Sequence, residues 1–399
     1  MIARRYVGCD PSLYDGGFLE DPAVLDRIRE EATPEITRVA TLFPEATYRR
    51  VLDRAAVFAD PSAWAGAEAA LAASGGAEVR VPASVLVRIG DARVQDRAVY
   101  LVRGDAALPL YETQRPLDRP FVAAPEAVTS PEALPEDRAY LLLTSSGTFN
   151  WGHFLVDDLP KLGAVAAVRA VERRPLCVLL HGFVPAVDRR RIDLLRALLG
   201  SEIQVRLLRP DTHYRAATLY YASPVSAHLG PKHPRALADL AASGAAMAER
   251  HDRPGWRRLW RLGRRPARLF VVRRRDWGRV PADWDAVRAR VTGRGYMPFD
   301  PEGAPAAEQA AAFAAAERVV GCMGAAMAGS LFCPTGTQIL YLAPDTFPDP
   351  FYLDLAAARG HAYAVCYGTA LDPARPERSD YRLDTERLEA ALAWLDRGG

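Results

Sequence analysis

Short apolar runs, each followed by an amphipathic segment, constrain the fold of this chain more than any other feature. "AYLLLTSS" (139–146) is one such run and ends in small polar residues. "PLCVLLHG" (175–182) is a second buried strand, "DRRRIDLLRALLG" (188–200) an amphipathic helix ending at glycine, and "IQVRLL" (203–208) a third strand. A second series opens with "ARLFVVRRR" (267–275). It continues through the helix "WDAVRARVTGRGY" (284–296) and the stretch "AAEQAAAFAAAERVVGCMGAAMAGSLFCPTGTQILYLAP" (306–344). The helix "DTERLEAALAWLD" (384–396) closes it. Strand–helix alternation of this kind builds parallel βαβ units. The expected class is therefore α/β, with two Rossmann-like domains facing a cleft at the carboxyl ends of their strands, where ligands bind.

The remaining segments complete the expected organisation. Residues 1–75 read as an N-terminal extension, with a helix over "DPAVLDRIREEATPEI" capped by Asp21 and opened by Pro22. Residues 77–112 alternate apolar and polar positions between Gly and Asp turns, which predicts a small antiparallel β unit. The expected domains are thus 1–75, 76–252 (β unit plus an acceptor-side Rossmann-like domain), a basic linker 253–268, and a donor-side domain 269–399.

Composition narrows the function. With 399 residues the chain suits about two domains. A formal net charge of +2 gives no electrostatic footprint for nucleic acid. The five cysteines are scattered without a CxxC pair, so a cysteine-based zinc site is not expected. No run of signal-peptide or membrane-span length stands out, and the expected location is the cytoplasm. In the linker "RPGWRRLWRLGRRPAR", Trp and Leu interleave with Arg. That pattern fits an interdomain crossover, or weak, salt-sensitive contact with the inner face of an anionic membrane.

Three stretches carry chemistry. In "SSGTFNWGHFLVDDLPKL" (145–162), His153 and Asp157 stand one helical turn apart. A carboxylate that orients an imidazole makes a base dyad. The same residues also suit an ordinary capped helix start, with Thr148 or Asn150 as the cap. In "VVGCMGAAMAGSLF" (319–332), backbone amides after Gly324 suit a diphosphate, although the glycines also suit close helix–sheet packing. In "LFVVRRRDWGR" (269–279), Arg273, Arg274 and Arg275 follow a strand. They read either as phosphate ligands or as a solvated charge run.

Taken together these stretches resemble glycosyltransferase family 61, and the chain reads as a divergent bacterial member. "NWGHFLVDDLP" resembles the family's N–x–x–H–[WF]–x–x–D–x–L–P signature, "VVRRR" its strand with paired arginines, and 308–337 its long E–Q…G–A block. The resemblance implies a GT-B-like fold and inverting transfer without an obligatory metal or other cofactor. A nucleotide-sugar serves as co-substrate, and the acceptor is a glycan, lipid-linked or small-molecule hydroxyl, as in surface polysaccharide synthesis. It places His153 and Asp157 as catalytic residues and Asn150 and Asp158 at the substrate. Arg273, Arg274, Gln309, Met323, Gly324 and Ala325 fall at the donor, and no residue falls at a metal. The chain departs from the pattern in three places: Met323 replaces the family's His, Ala326, Met327, Ala328 and Gly329 stand at its G–L–x–N, and Tyr341 replaces a common Glu. An impaired glycan- or partner-binding protein, or a sugar-nucleotide epimerase or hydrolase, would share the same fold.

Overall fold

A computed structural model of the protein describes residues 7–9, 33–95, 98–104, 106–113, 130–145, 147–226, 230–250 and 268–397. The chain divides into two compact units, Met1–Ala46 with Arg80–His228, and Thr47–Val79 with Leu229–Gly399. Each is a mixed α/β unit, and the pair is GT-B-like in architecture.

The first unit is built on a nine-stranded sheet. Its strands include β1 (Ile36–Phe43), β2 (Ser84–Gln95), β3 (Ala98–Arg103), β4 (Ala106–Pro109), β5 (Ala139–Leu142), β6 (Leu176–His181), β7 (Gln204–Leu208) and β8 (His213–Ala222). The order is β7-β6-β5-β8-β2-β3-β4, with β1 also on β2. Strands β7, β6, β5 and β8 are parallel, while β2, β3 and β4 continue the sheet antiparallel. Every residue of β5 and β6 is buried, as expected of parallel strands covered on both faces. The antiparallel unit expected over 77–112 is therefore not separate. The ten-residue β8 pairs β5 along one edge and β2 along the other, and joins both patterns in one sheet.

The second unit carries β9 (Arg268–Val271), β10 (Met297–Phe299), β11 (Arg318–Cys322), β12 (Gln338–Pro344) and β13 (Ala362–Ala370), in the parallel order β10-β9-β11-β12-β13. Phe270, Val320, Leu340 and Leu342 pack there with Trp284 and with Leu388, Leu392 and Leu395 of the last helix. In both sheets the order reverses once. The chain leaves β5 toward β6 on one side and returns to β8 on the other; it does the same around β9, with β10 and β11. Ligands of open α/β sheets bind at such reversals.

Two segments join the second unit rather than the neighbours expected for them. Helix Pro234–Arg250 lies N-terminal to the basic linker, yet it packs on helix Ala306–Ala314 and on the turn Ala325–Phe332. Its buried stripe includes Ala236, Ala241 and Gly244, and a Cβ on Gly244 would come within 2.4 Å of the Phe332 ring. The second segment is Thr47–Val79. Arg50 Nε lies 2.7 Å from Asp354 Oδ1, both side chains wholly buried, and Tyr48 donates to the same oxygen at 2.6 Å. Arg50 Nη1 also donates to the carbonyls of Ser74 at 2.9 Å and Gly76 at 2.8 Å, just past helix Pro61–Ala73. Of the helix expected over 21–36, residues 21–32 lie outside the described residues, and Ile36 opens β1 instead. Residues 253–267 of the basic linker, with Trp256 and Trp260, also lie outside them.

Removing one member of a buried ion pair strands the other charge, at a cost of about 3–5 kcal/mol. Asp354→Ala is expected to lower the unfolding free energy by about that amount in urea titrations. The double variant Arg50→Met/Asp354→Leu is expected to lose less. An unchanged midpoint for Asp354→Ala would show that the pair does not hold Thr47–Val79 in place.

Candidate active site

The first constellation follows β5. Asn150 Oδ1 accepts from the Gly152 amide at 2.8 Å and caps a short α-turn, Trp151–His153. The chain then widens into a π-turn, Phe154–Asp158, and tightens into a 3₁₀ turn, Leu159–Leu162. Pro160 gives the local reason: it has no N–H for the Val156 carbonyl, so an α ladder cannot run through it. The Leu159 amide bonds the Phe154 carbonyl instead. Single π-turns inside helices concentrate at functional sites.

This turn brings His153 Nδ1 to 2.7 Å from Asp157 Oδ2. The tautomer that donates Nδ1–H to Asp157 makes Nε2 the proton acceptor. The side chains are 16% and 11% exposed, enough for a small group to reach them. Ser226 Oγ donates to Asp157 Oδ1 at 2.5 Å. Ser226 lies just beyond β8, so the dyad is tied to both strands that flank the reversal. Sequence reasoning missed Ser226, which stands 69 residues from its partner with no motif to mark it.

Asp158 belongs elsewhere. Its carboxylate is wholly buried and accepts from the Ser145 amide at 2.9 Å and from Lys161 Nζ at 3.0 Å. It ties the end of β5 to the π-turn through Oδ1. A second buried brace holds the same loop. Arg191 donates to Thr148 Oγ1 and to the His181 carbonyl, both at 2.7 Å, and pairs with Asp188.

The second constellation follows β9 and β11. Arg273 donates to the carbonyls of Gly278 at 2.7 Å and Trp277 at 3.0 Å. Its guanidinium crosses Gly324 so closely that a Cβ there would lie 2.2 Å from Nη1. Arg273 and Gly324 thus meet at the reversal of the second sheet. Burial, and then the like charge of Arg279, lowers the Arg273 pKa below the usual guanidinium value. Arg279 has a left-handed backbone (φ 55°), uncommon outside glycine, and its guanidinium lies 4.4 Å from the Phe347 ring centroid. Among the described residues neither Arg273 nor Arg279 has a carboxylate ion-pair partner. Two such guanidiniums suit a multivalent anion. Arg279 carried no distinguishing signal in the sequence.

The adjacent arginine points elsewhere. Arg274 is exposed and pairs with Asp300 at 3.1 Å and Glu302 at 3.2 Å, and the hydrogen bond to Asp300 raises its pKa. Gln309 is buried and donates to the carbonyls of Pro301 at 2.8 Å and Ala304 at 3.0 Å, so it braces the loop next to those acids. The Met323 side chain is wholly buried. Tyr341 is also buried, its ring 5.0 Å from that of Tyr352. Ala325 is half-buried at the start of a 3₁₀ segment, Ala325–Phe332.

Residues 151–340 match the family model described as Glycosyltransferase 61. Over this span, just under half of the chain, the protein is similar to the glycosyltransferase 61 family. No curated protein matches it. The matched span contains His153, Asp157, Ser226, Arg273, Arg279 and Gly324; segment Thr47–Val79 and strand β13 lie outside it. Among the described residues no group of three His, Cys, Asp or Glu side chains is placed to hold a metal, and no helix is long and apolar enough to cross a membrane.

Gly324→Ala would push the Arg273 guanidinium aside at little cost to folding, because the obstructing atoms end a flexible side chain. Calorimetry is expected to show weaker pyrophosphate binding with the melting temperature nearly unchanged. Undiminished pyrophosphate affinity would separate Gly324 from the anion site.

Proposed function

We propose that this protein transfers a sugar from a nucleotide-sugar donor to an acceptor hydroxyl with inversion. The observation that carries this reading is the hydrogen-bonded chain Ser226–Asp157–His153 at a strand-order reversal. The acceptor oxygen attacks the anomeric carbon, and its proton passes to His153 Nε2. Asp157 holds Nδ1–H and stabilises the imidazolium that forms. The bond from the anomeric carbon to the diphosphate oxygen breaks, and that electron pair leaves as negative charge on the diphosphate. Arg273 and Arg279 balance this charge, a task that a metal performs in other transferases. The donor groups of this reading are Arg273, Arg279 and the Gly324 loop. Arg274, Gln309 and Met323 support the loops around them. The acceptor is a glycan, lipid-linked or small-molecule hydroxyl in glycoconjugate synthesis, and the work is done at the cytoplasmic side.

A thermal-shift screen over nucleoside diphosphates and nucleotide-sugars identifies the donor, since a ligand of the native state raises its stability. With that donor, His153→Ala and Asp157→Ala are each expected to lower transfer at least about 100-fold while the fold survives. Arg279→Ala is expected to weaken nucleoside diphosphate binding more than nucleoside binding. Near-normal turnover in both dyad variants would remove them as the base. Donor hydrolysis or epimerisation with no transfer to any acceptor would change the reaction class.

A further inference from the structure

A cavity of about 350 Å³ lies in the second unit, lined by residues that include Ser62, Asp345, Thr346, Thr369, Ala370 and Pro373. All of them fall outside the family-matched span 151–340. Strands β12 and β13 are hydrogen-bonded neighbours that end at Pro344 and Ala370, so the cavity opens at their carboxyl ends. Its size is within the range of about 300–1,000 Å³ typical of small-molecule sites.

The polar groups of the lining fit a diol. Asp345 Oδ1 accepts from the Ala370 amide at 3.0 Å, and its other oxygen has no partner among the described residues. Thr346 Oγ1 is buried with no hydrogen-bond partner, a state that a ligand or water normally relieves. Ser62 gives its proton to Asp60 at 2.7 Å and so offers lone pairs. A carboxylate beside hydroxyls accepts the two O–H groups of a vicinal diol and repels a phosphate.

The position of the cavity indicates which diol. Phe347, two residues past Asp345, carries Arg279 on its ring at 4.4 Å. Along the sheet edge, the cavity stands one to two strand spacings from the Gly324 loop, roughly 5–10 Å. A nucleoside diphosphate spans that reach between its phosphates and its ribose. We infer that this cavity takes the ribose diol of a nucleoside diphosphate whose phosphates lie on Arg273 and Arg279; the inference rests on the donor reading above.

Calorimetry on the full chain with UDP, GDP, CDP and ADP, their 2′-deoxy counterparts, pyrophosphate and methyl hexosides tests it. For the best ribonucleotide, the 2′-deoxy change and Asp345→Asn are each expected to weaken binding about tenfold, the size of one charge-assisted hydrogen bond. Their combination is expected to lose little more, as for two groups that share one contact. Pyrophosphate binding is expected to stay unchanged in Asp345→Asn. Asn keeps an acceptor for the Ala370 amide, and Thr346→Val gives a second variant that leaves this contact alone. Equal ribonucleotide affinity in wild type and Asp345→Asn would overturn the ribose assignment and leave the arginine site standing. So would pyrophosphate binding as tightly as any nucleotide. A loss confined to methyl hexosides would assign the cavity to a glycan instead and overturn the ribose. Failure of both nucleotides and pyrophosphate to bind wild type would bring down the donor reading, and the inference with it.

Discussion

Parallel strands that leave one another in opposite directions create a gap at the sheet edge that no crossover helix covers. That constraint governs where each unit of this chain can hold a ligand. In the first sheet the gap lies between β5 and β8, and in the second between β9 and β11. Side chains from both flanking strands meet at each. Ser226 reaches Asp157 across the first, and Arg273 crosses Gly324 at the second. A loop at such a gap must satisfy its own polar groups or lose its shape. Asp158, Lys161, Thr148 and Arg191, all of them buried, supply hydrogen bonds to the loop in the first unit. Their hydrogen bonds hold the π-turn that presents His153.

Much of the architecture was legible because a parallel strand is buried on both faces and therefore reads as an unbroken apolar run. β5, β6, β11 and β12 all announce themselves this way. The partition of the chain was less legible. Thr47–Val79 joins the second unit through Arg50 and Asp354, two residues that a sequence reading assigns to the surface. Charged residues are rarely buried without a partner, and a partner 304 positions away leaves no local trace. Helix Pro234–Arg250 has an ordinary amphipathic pattern, which fixes its buried face but not the sheet that receives it.

The geometry of the candidate site was legible where it is local. His153 and Asp157 are four apart, and the hydrogen bond between them spans one turn even though that turn is partly π rather than α. Asn150 sits where a capping residue should sit and acts as one. Adjacency misled elsewhere. Asp157 and Asp158 are neighbours, yet one meets the imidazole and the other is buried against Lys161. Arg273 and Arg274 are neighbours, yet the strand end turns one across Gly324 and the other toward Asp300. Successive residues of extended backbone point to opposite sides, so a matched pair of arginines need not make a paired site. Arg279 fills the place beside Arg273 through a left-handed backbone that no sequence pattern signals.

Two guanidiniums held near each other, with burial lowering the pKa of one, are under electrostatic stress before any ligand arrives. Like charges repel more strongly as the local dielectric falls. An anion between them relieves that stress, and a diphosphate gains negative charge as its bond to the sugar breaks. On the donor reading, the relief is therefore greatest late in bond cleavage, which is where stabilisation accelerates a reaction. The same reasoning accommodates a buried Met323 at the position where the family resemblance leads one to expect a His. A neutral imidazole offers a single hydrogen bond to the phosphate, whereas a second cation that needs no proton to be charged acts on the whole leaving group. On the donor reading Arg279 must keep its left-handed turn and its place on Phe347, because a solvated arginine would lose most of its electrostatic effect to water.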